Sequence, residues 1–271
     1  MTAVPGSVRR IGLVAHNTLR EAVRQRLFQF LVLLAGLLVL GAQFLREFNF
    51  GVPELKFIAD LGLAVIGLLG AVLTVTATVQ LFFTELENRT VLTLLAKPVT
   101  RTEFVLGKFL GASGVTVVFC ASQTLLLAAV LWSREVALMR QHPEVFAHGH
   151  VINYTWLAQC GGLLWLKLAV LGALTLLVVS YAGTALFAMV TGALIYLCGH
   201  LQSFALEAAA RAGSAFTRTA AGIAGRILPD FQLFQMPEAG GGFPPGIAAY
   251  ALGYIAAACT LAAFSFARRE L

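Results

Sequence analysis

One long apolar stretch in the second half of the chain limits the possible folds more than any other feature. Residues 157–201 are almost all apolar over about 45 positions, whereas about 20 such residues suffice for a helix to cross the hydrocarbon core of a membrane. The stretch is too long for one spanning helix and too apolar for a soluble domain. A weak break at Ser180-Tyr181-Ala182-Gly183 divides it into two predicted spans, residues 157–180 and 183–201.

The rest of the chain carries the same signal. Of the 271 residues, 59% are hydrophobic and 12% are charged, while soluble domains have about 25% charged residues. Further apolar runs predict four more spans: residues 27–45, 61–83, 105–132 and 246–267. The sequence therefore predicts an all-α integral membrane protein, a single transmembrane domain over residues 1–271 with six transmembrane helices.

Residues 7–26 are predicted to form an amphipathic helix ahead of the first span. Its basic side chains share one helical face, on which Leu13 and Val14 intrude. Apolar side chains share another face: Ile11, Ala15, Leu19, Ala22 and Val23. This pattern is typical of a helix that lies in the membrane interface with its arginines toward anionic headgroups. A solvated basic leader is the alternative.

A charged insertion, residues 84–108, separates the second and third spans. It contains two S/T-x-x-E capping boxes, which satisfy free amides at a helix start: Thr84 with Glu87, and Thr100 with Glu103. Pro98 lies between them and ends the first helix, because proline lacks an amide donor. We therefore expect a short helix over residues 85–96 and a second helix that continues into the third span. That span opens with the small residues of a GxxxG pattern, which permit close helix approach: Gly107, Gly111 and then Gly114.

The distribution of basic residues predicts the orientation. The net charge is +6, and 11 of the 19 Lys and Arg residues lie in the leader, in residues 84–108 and in the C-terminal tail. Basic excess marks the cytoplasmic side, so both termini and residues 84–108 are expected to be cytoplasmic. Residues 202–230, predicted as interfacial helices on the opposite side, are also basic. The basic residues lie beside membrane segments, which argues against a nucleic-acid partner.

Four polar residues inside the apolar segments are candidates for a substrate pathway: Thr74, Thr78, Gln80 and Lys167. Interhelical hydrogen bonding is the simpler role for the first three. An ionisable residue inside a membrane segment is a functional candidate by default. Lys167 is near enough to the start of its predicted span for snorkelling to the interface to be the favoured interpretation.

No catalytic or metal-binding pattern is recognisable. The chain lacks a P-loop, a G-x-S-x-G and an H-E-x-x-H motif, so we expect neither enzymatic activity nor a bound cofactor. Three histidines in the polar loop 133–156 lack a completing ligand, and no metal is predicted there: His142, His148 and His150. The four cysteines lack CxxC spacing and are interpreted as small buried residues: Cys120, Cys160, Cys198 and Cys259.

The segment E-L-E-N-R-T-V-L-T-L-L-A-K-P-V-T-R-T-E-F-V-L-G-K-F-L-G, residues 85–111, resembles the signature of permease subunits of bacterial type-2 ABC exporters. The resemblance is to the branch of these exporters that includes the multi-copper-enzyme-maturation and gliding-motility permeases. The matching positions are Glu85, Arg89, Thr90, Leu94, Leu95, Lys97, Pro98, Val99, Arg101, Gly107 and Lys108. Weaker matches to the same family, in the expected order along the chain, lie at residues 17–21, 199–200, 228–231 and 268–271. Asp230 stands where the family often has asparagine.

The resemblance implies six helices per subunit, a leader that forms an elbow helix, and two permease subunits, which we take as a homodimer. It also implies two separate cytoplasmic ATPase subunits that hold ATP and Mg and dock on the short helix between spans two and three. The location would be the bacterial inner membrane, where a periplasmic accessory protein is a further compatible partner. The substrate is not readable from the sequence.

Site residues follow from the motif together with this resemblance. The residues expected to dock the ATPase are Glu85, Glu87, Arg89, Thr90, Leu92, Thr93 and Leu95. The expected hinge and motif residues are Lys97, Pro98, Val99, Arg101, Glu103, Gly107 and Lys108. Two other functions stay open: an ATP-independent transporter or channel, and a membrane anchor that recruits a cytoplasmic partner.

Overall fold

The structure, a computed structural model, describes residues 5–44, 54–87, 100–141, 152–211, 228–235 and 245–268. These residues form seven α-helices and one 3₁₀ turn, without a β-strand among them. The helices are α1 (Pro5–Arg24), α2 (Arg26–Gly41), α3 (Glu54–Glu87), α4 (Arg101–Gln141), α5 (Tyr154–Tyr181), α6 (Ala185–Arg211) and α7 (Ile247–Arg268). The 3₁₀ turn is Phe231–Phe234. The chain is therefore all-helical wherever the structure describes it.

Helices α3 to α7 are each long and apolar enough to cross a membrane. Helix α2 has 16 residues and follows α1 after a bend of 64° at Gln25, and the two together pass the same test. Length and composition thus allow five or six spans. The most buried of them is α5, with 67% of its apolar window inside the structure, against 22% for α6 and 28% for α7. Helix α5 therefore forms the centre of the bundle.

Several helices extend beyond the apolar runs that predicted them. Helix α3 begins at Glu54, inside the polar connection expected before residue 61, and α4 continues through Arg134 to Gln141. Arg134 and Glu54 form an ion pair between these two extensions, which gives the polar ends of the helices partners outside the apolar core. Residues 202–211 extend α6, so they are not a separate interfacial helix. Residues 212–227 lie outside the described part.

The two capping boxes behave differently. At Thr100 the box is formed, because the Thr100 amide donates to Glu103 Oε2 at 2.9 Å and the Glu103 amide donates to Thr100 Oγ1 at 3.3 Å. The Thr84 box does not start a helix, since α3 continues through it to Glu87. A capping box stabilises a helix start only where the amides lack carbonyl partners one turn earlier. At Thr84 the preceding turns of α3 already supply those carbonyls.

Helix α1 packs closely along the first turns of α4, and glycines make the approach possible. A Cβ on Gly107 would lie 2.7 Å from Val14 Cβ, and one on Gly111 would lie 2.5 Å from Thr18 Cβ. The two helices run parallel, because Gly111 lies four residues after Gly107 and its contact Thr18 lies four residues after Val14. Val14 therefore belongs to the packed face of α1 and does not intrude on its polar arc, whereas Leu13 is 62% exposed.

A matched pair of glycine substitutions tests this contact. Gly111→Ala should lower the free energy of unfolding by about 1–3 kcal/mol, because the new Cβ overlaps Thr18 and approaches the Ala15 carbonyl oxygen. Gly162→Ala in α5 is the control, since nothing lies within 4 Å of its Cβ position and alanine favours helix. Thermal unfolding in detergent measures both. Equal melting temperatures for the two variants would contradict the close α1–α4 packing.

Candidate functional site

A cavity of about 520 Å³ lies between α3, α5 and α6. One stripe of side chains from each of two helices lines its long walls: Asp60, Leu63, Ala64 and Gly67 of α3, and Trp156, Cys160, Leu164 and Lys167 of α5. The α3 residues occupy positions i, i+3, i+4 and i+7, and the α5 residues are spaced by three or four, so each set shares one helical face. Tyr196 and His200 of α6 and the residues Phe234 and Gln235 also line the cavity.

Lys167 is the buried cation of this cavity. Lys167 is 5% exposed. It lies at the midpoint of the 28-residue helix α5, about 20 Å from the start of the helix. Its Nζ lies 3.5 Å from His200 Nε2. A lysine side chain that points across to α6 at the middle of its helix argues against the snorkelling interpretation. Lys167 belongs instead to the wall of an internal site.

The geometry of His200 fixes the role of each ring nitrogen. Nδ1 lies 2.9 Å from the Tyr196 carbonyl oxygen, which can only accept, so Nδ1 carries a proton and donates. In the neutral ring Nε2 then has a lone pair that accepts from the Lys167 ammonium. A neutral imidazole does not cancel the lysine charge, and within the described residues Lys167 forms no ion pair.

The segment 228–235 packs on α6 and forms one wall of the cavity. Phe231 is fully buried, and a Cβ on Gly199 would lie 2.5 Å from Phe231 Cδ2 and 2.9 Å from the Pro229 carbonyl oxygen. The Gln232 side-chain amide donates to the His200 carbonyl at 3.0 Å. Asp230 caps the 3₁₀ turn by accepting from the Gln232 amide at 2.9 Å. Two short stretches that the sequence presents separately, residues 199–200 and 228–231, thus form a single contact.

The three other pathway candidates lie away from this cavity. The Thr74 hydroxyl donates to the Gly70 carbonyl of its own helix at 2.7 Å. Thr78 Oγ1 is buried without a hydrogen-bond partner among the described residues, beside a void of about 10 Å³ that both threonines line. Such a void holds one water at most. Gln80 is half-buried and lines neither space, so the structure does not bring the threonines and Lys167 into one site.

Residues of the sequence motif gather where α1, α3 and α4 meet. Glu103, which is 5% exposed, accepts from Arg10 Nη2 at 2.9 Å. Lys108, 3% exposed, donates to the Leu81 carbonyl oxygen at 2.9 Å. Together with the Gly107 contact, these bonds join α4 to the end of α3 and to α1. This junction is a structural role that the sequence did not assign to Glu103 and Lys108.

The docking prediction falls largely outside the described residues. Glu85 and Glu87 lie in the last turn of α3 and Arg101 is the first residue of α4, where the structure describes their backbone alone. The remaining docking and hinge residues are outside the described part: Arg89, Thr90, Leu92, Thr93, Leu95, Lys97, Pro98 and Val99. The loop histidines His142, His148 and His150 are outside it as well.

The cysteines are all free thiols. Three of them are buried, as expected for small apolar residues, namely Cys120, Cys160 and Cys259. Cys198 is exposed on α6, so the prediction of a buried residue is wrong there. The reason is that α6 packs on its neighbours along one side only.

Comparison with known proteins identifies the family. The sequence model described as ABC-2 family transporter protein matches residues 13–235, which is well over half of the chain and includes every wall of the cavity. The chain belongs to the ABC-2 transporter family. Membership makes it a multi-pass membrane protein of the ABC permease type and implies an ABC ATPase as its partner. No individual curated protein matches the chain.

A glycine substitution tests whether segment 228–235 closes the cavity of this ABC-2 protein. Gly199→Ala should displace Phe231 and the Pro229 carbonyl, and should raise the rate of N-ethylmaleimide labelling at Cys160, which lines the cavity, several-fold. The other three cysteines are replaced by alanine beforehand. Gly253→Ala in α7, with nothing within 4 Å of its Cβ position, is the matched control. The same labelling rate in both variants would show that the segment does not act as a wall.

Proposed function

We propose that the chain is the permease subunit of an ATP-driven exporter of the bacterial inner membrane, energised by two separate cytoplasmic ATPase subunits. The family match over residues 13–235 carries this proposal. The sequence contains no P-loop, which agrees with hydrolysis on another polypeptide. The chain itself would then bind no nucleotide, and its task would be to open and close a pathway for the substrate.

In the proposed topology α2 to α7 are six spans and both termini are cytoplasmic. Helix α2 is about 24 Å long, shorter than a hydrocarbon core of about 30 Å, so residues flanking it would complete the span. Helix α1 would be the elbow helix, bent by 64° from α2. Its Arg10–Glu103 ion pair would lie on the cytoplasmic side.

The proposed docking element is the stretch that joins α3 to α4. Helix α3 ends at Glu87 and α4 begins at Arg101, so residues 88–99 connect two spans at one end of the bundle. The hydrogen bond from Lys108 to the Leu81 carbonyl holds the two helices together there. A force applied to the connection by an ATPase would therefore act on α3 and α4 jointly.

A double substitution tests docking. Arg89→Glu with Leu92→Asp should abolish co-purification of the co-expressed ATPase and its permease-dependent hydrolysis, because a charge is reversed and an apolar anchor is lost. Arg140→Glu is the control: it reverses an exposed charge at the opposite end of α4. Monodisperse elution in detergent verifies folding. Unchanged co-purification and hydrolysis in a folded double variant would refute the docking assignment.

We further propose that α6 faces a second copy of this chain. Large apolar side chains follow one exposed stripe of α6 at spacings of three and four residues: Leu186, Val190, Leu194, Leu197 and Leu201. This spacing is suited to helix–helix packing, and α6 is the least buried of the candidate spans. A twofold axis beside the stripe would bring two copies of Cys198 close together.

The exposed thiol of Cys198 reports on this interface. Copper-phenanthroline oxidation of membranes containing the wild-type chain should yield a disulfide-linked dimer, and Cys198→Ala should remove it. The three buried cysteines serve as the internal control, because they remain in that variant. Absence of the dimer, with intact oxidation of an introduced surface cysteine pair, would count against α6 as the interface.

An ATP-independent transporter is the second candidate, favoured by the buried Lys167 in the cavity wall. Such a transporter would neither bind an ATPase nor stimulate hydrolysis. Co-purification and hydrolysis measurements on the wild-type complex therefore separate the two functions. A membrane anchor would bind the ATPase but would show no substrate-dependent hydrolysis in liposomes.

A further inference from the structure

We propose that the cavity beside Lys167 binds the anionic group of an amphiphilic substrate, a carboxylate or phosphate attached to an apolar body. The inference rests on the proposed export function, because it assigns a substrate class to that permease. Four features of the cavity support it: an uncompensated buried charge, an excess of hydrogen-bond donors, the position of Asp60 and the apolar lining.

The first feature is the charge of Lys167. An ionised ammonium in an apolar interior is costly unless an anion lies beside it. Lys167 is 5% exposed, and its partner among the described residues is a neutral acceptor, His200 Nε2. A ligand anion next to Nζ would supply the missing negative charge.

The second feature is an excess of donors. A lysine ammonium has three N–H donors, and the described residues provide an acceptor for one of them, at His200. The two remaining N–H groups of the ammonium are free to donate to a ligand in the cavity that Lys167 lines. Carboxylates and phosphates accept several hydrogen bonds and donate few, so they complement such a lining.

The third feature is the placement of the cavity's carboxylate. Asp60 lies two helical turns, about 10 Å, from Gly67, and a Cβ on Gly67 would lie 3.9 Å from Lys167 Nζ. Asp60 is exposed, and among the described residues no ion pair joins it to Lys167. Its negative charge disfavours an anion at its own end of the cavity and so favours a ligand anion at the lysine end.

The fourth feature is the apolar lining. Leu63, Ala64, Leu164 and Phe234 contribute hydrocarbon surface between the two charged ends. A volume of about 520 Å³ falls within the range of pockets that bind organic ligands. Ala64 and Asp60 are both exposed, so the cavity has an opening on the α3 side through which an amphiphile can enter.

Binding is tested on the full-length chain purified in a neutral detergent. The probes are decyl phosphate, inorganic phosphate, decanol and decyltrimethylammonium. Fluorescence of Trp156, measured in a Trp132→Phe, Trp165→Phe background, reports occupancy of the cavity that this residue lines. Decyl phosphate should change the fluorescence saturably, while decanol and decyltrimethylammonium should bind at least about tenfold more weakly, because charge-assisted hydrogen bonds are the stronger ones.

Substitutions locate the binding. Lys167→Met should weaken decyl phosphate binding at least about tenfold, and Lys167→Arg should retain most of it. Arg211→Met is the control, since that cation is on the same helix as His200 but its side chain is 82% exposed. If Lys167→Met fails to fold, Ala64→Phe replaces it, which fills the cavity without changing a charge and should also weaken binding.

Each outcome bears on the proposal. Unchanged binding of decyl phosphate to Lys167→Met or Ala64→Phe would overturn it, as would equal affinity for decyltrimethylammonium. Equal affinity for inorganic phosphate and decyl phosphate would overturn the claim that the ligand carries an apolar body, because a free anion would then bind as well. Because these measurements need no ATPase, loss of binding is distinguishable from failure of the export function, which the docking variants test separately.

Discussion

The fold depends on one constraint: polar groups buried in a membrane bundle must find partners within the protein, because no water is present in the bilayer core. Helix α4 meets this constraint at four buried polar residues, each of which bonds to a different neighbouring helix. Glu103 bonds to Arg10 of α1, Gln123 to the Val32 carbonyl of α2, Lys108 to the Leu81 carbonyl of α3, and Glu135 to Tyr154 of α5. The bonds are distributed along the length of α4. They hold the neighbouring helices in fixed register, because each bond joins one defined pair of residues.

Lys167 differs from these four residues of α4 in its hydrogen-bond partner and in its surroundings. The Lys108 ammonium of α4 donates to the Leu81 carbonyl oxygen at 2.9 Å within a packed junction, whereas the Lys167 ammonium faces an imidazole nitrogen at 3.5 Å. The neighbouring space is a cavity and not a packed helix. An incompletely satisfied charge inside a membrane bundle costs stability, so a function in binding gives this lysine a physical reason.

Helix identity followed from the sequence, and contacts between distant segments did not. The apolar runs predicted α3 to α7, and the Thr100 box predicted the start of α4, since both signals are local. The Thr84 box misled because a capping pattern does not reveal whether a helix already precedes it. The contact of Gly199 with Phe231 depends on a chain return that no local pattern encodes. The position of Lys167 was misjudged for a different reason. The snorkelling interpretation assumed that the helix begins at residue 157, three residues later than in the structure.

Helix α3 connects the two regions that the proposals assign to substrate and to ATPase. Its N-terminal half lines the cavity at Gly67, and its last residue, Glu87, precedes the connection proposed for docking. Between them α3 touches α5 closely, since a Cβ on Gly70 would lie 2.6 Å from Leu168 Cδ1 and one on Gly172 would lie 3.2 Å from Thr74 Cγ2. If an ATPase moves the connection, such close contacts favour a tilt of α3 about the Gly70–Gly172 region over sliding, because packed interfaces resist gradual deformation. A tilt about that point would displace the part of α3 at Asp60, about 15 Å along the helix from Gly70, relative to α5, and would thereby couple hydrolysis to the width of the cavity.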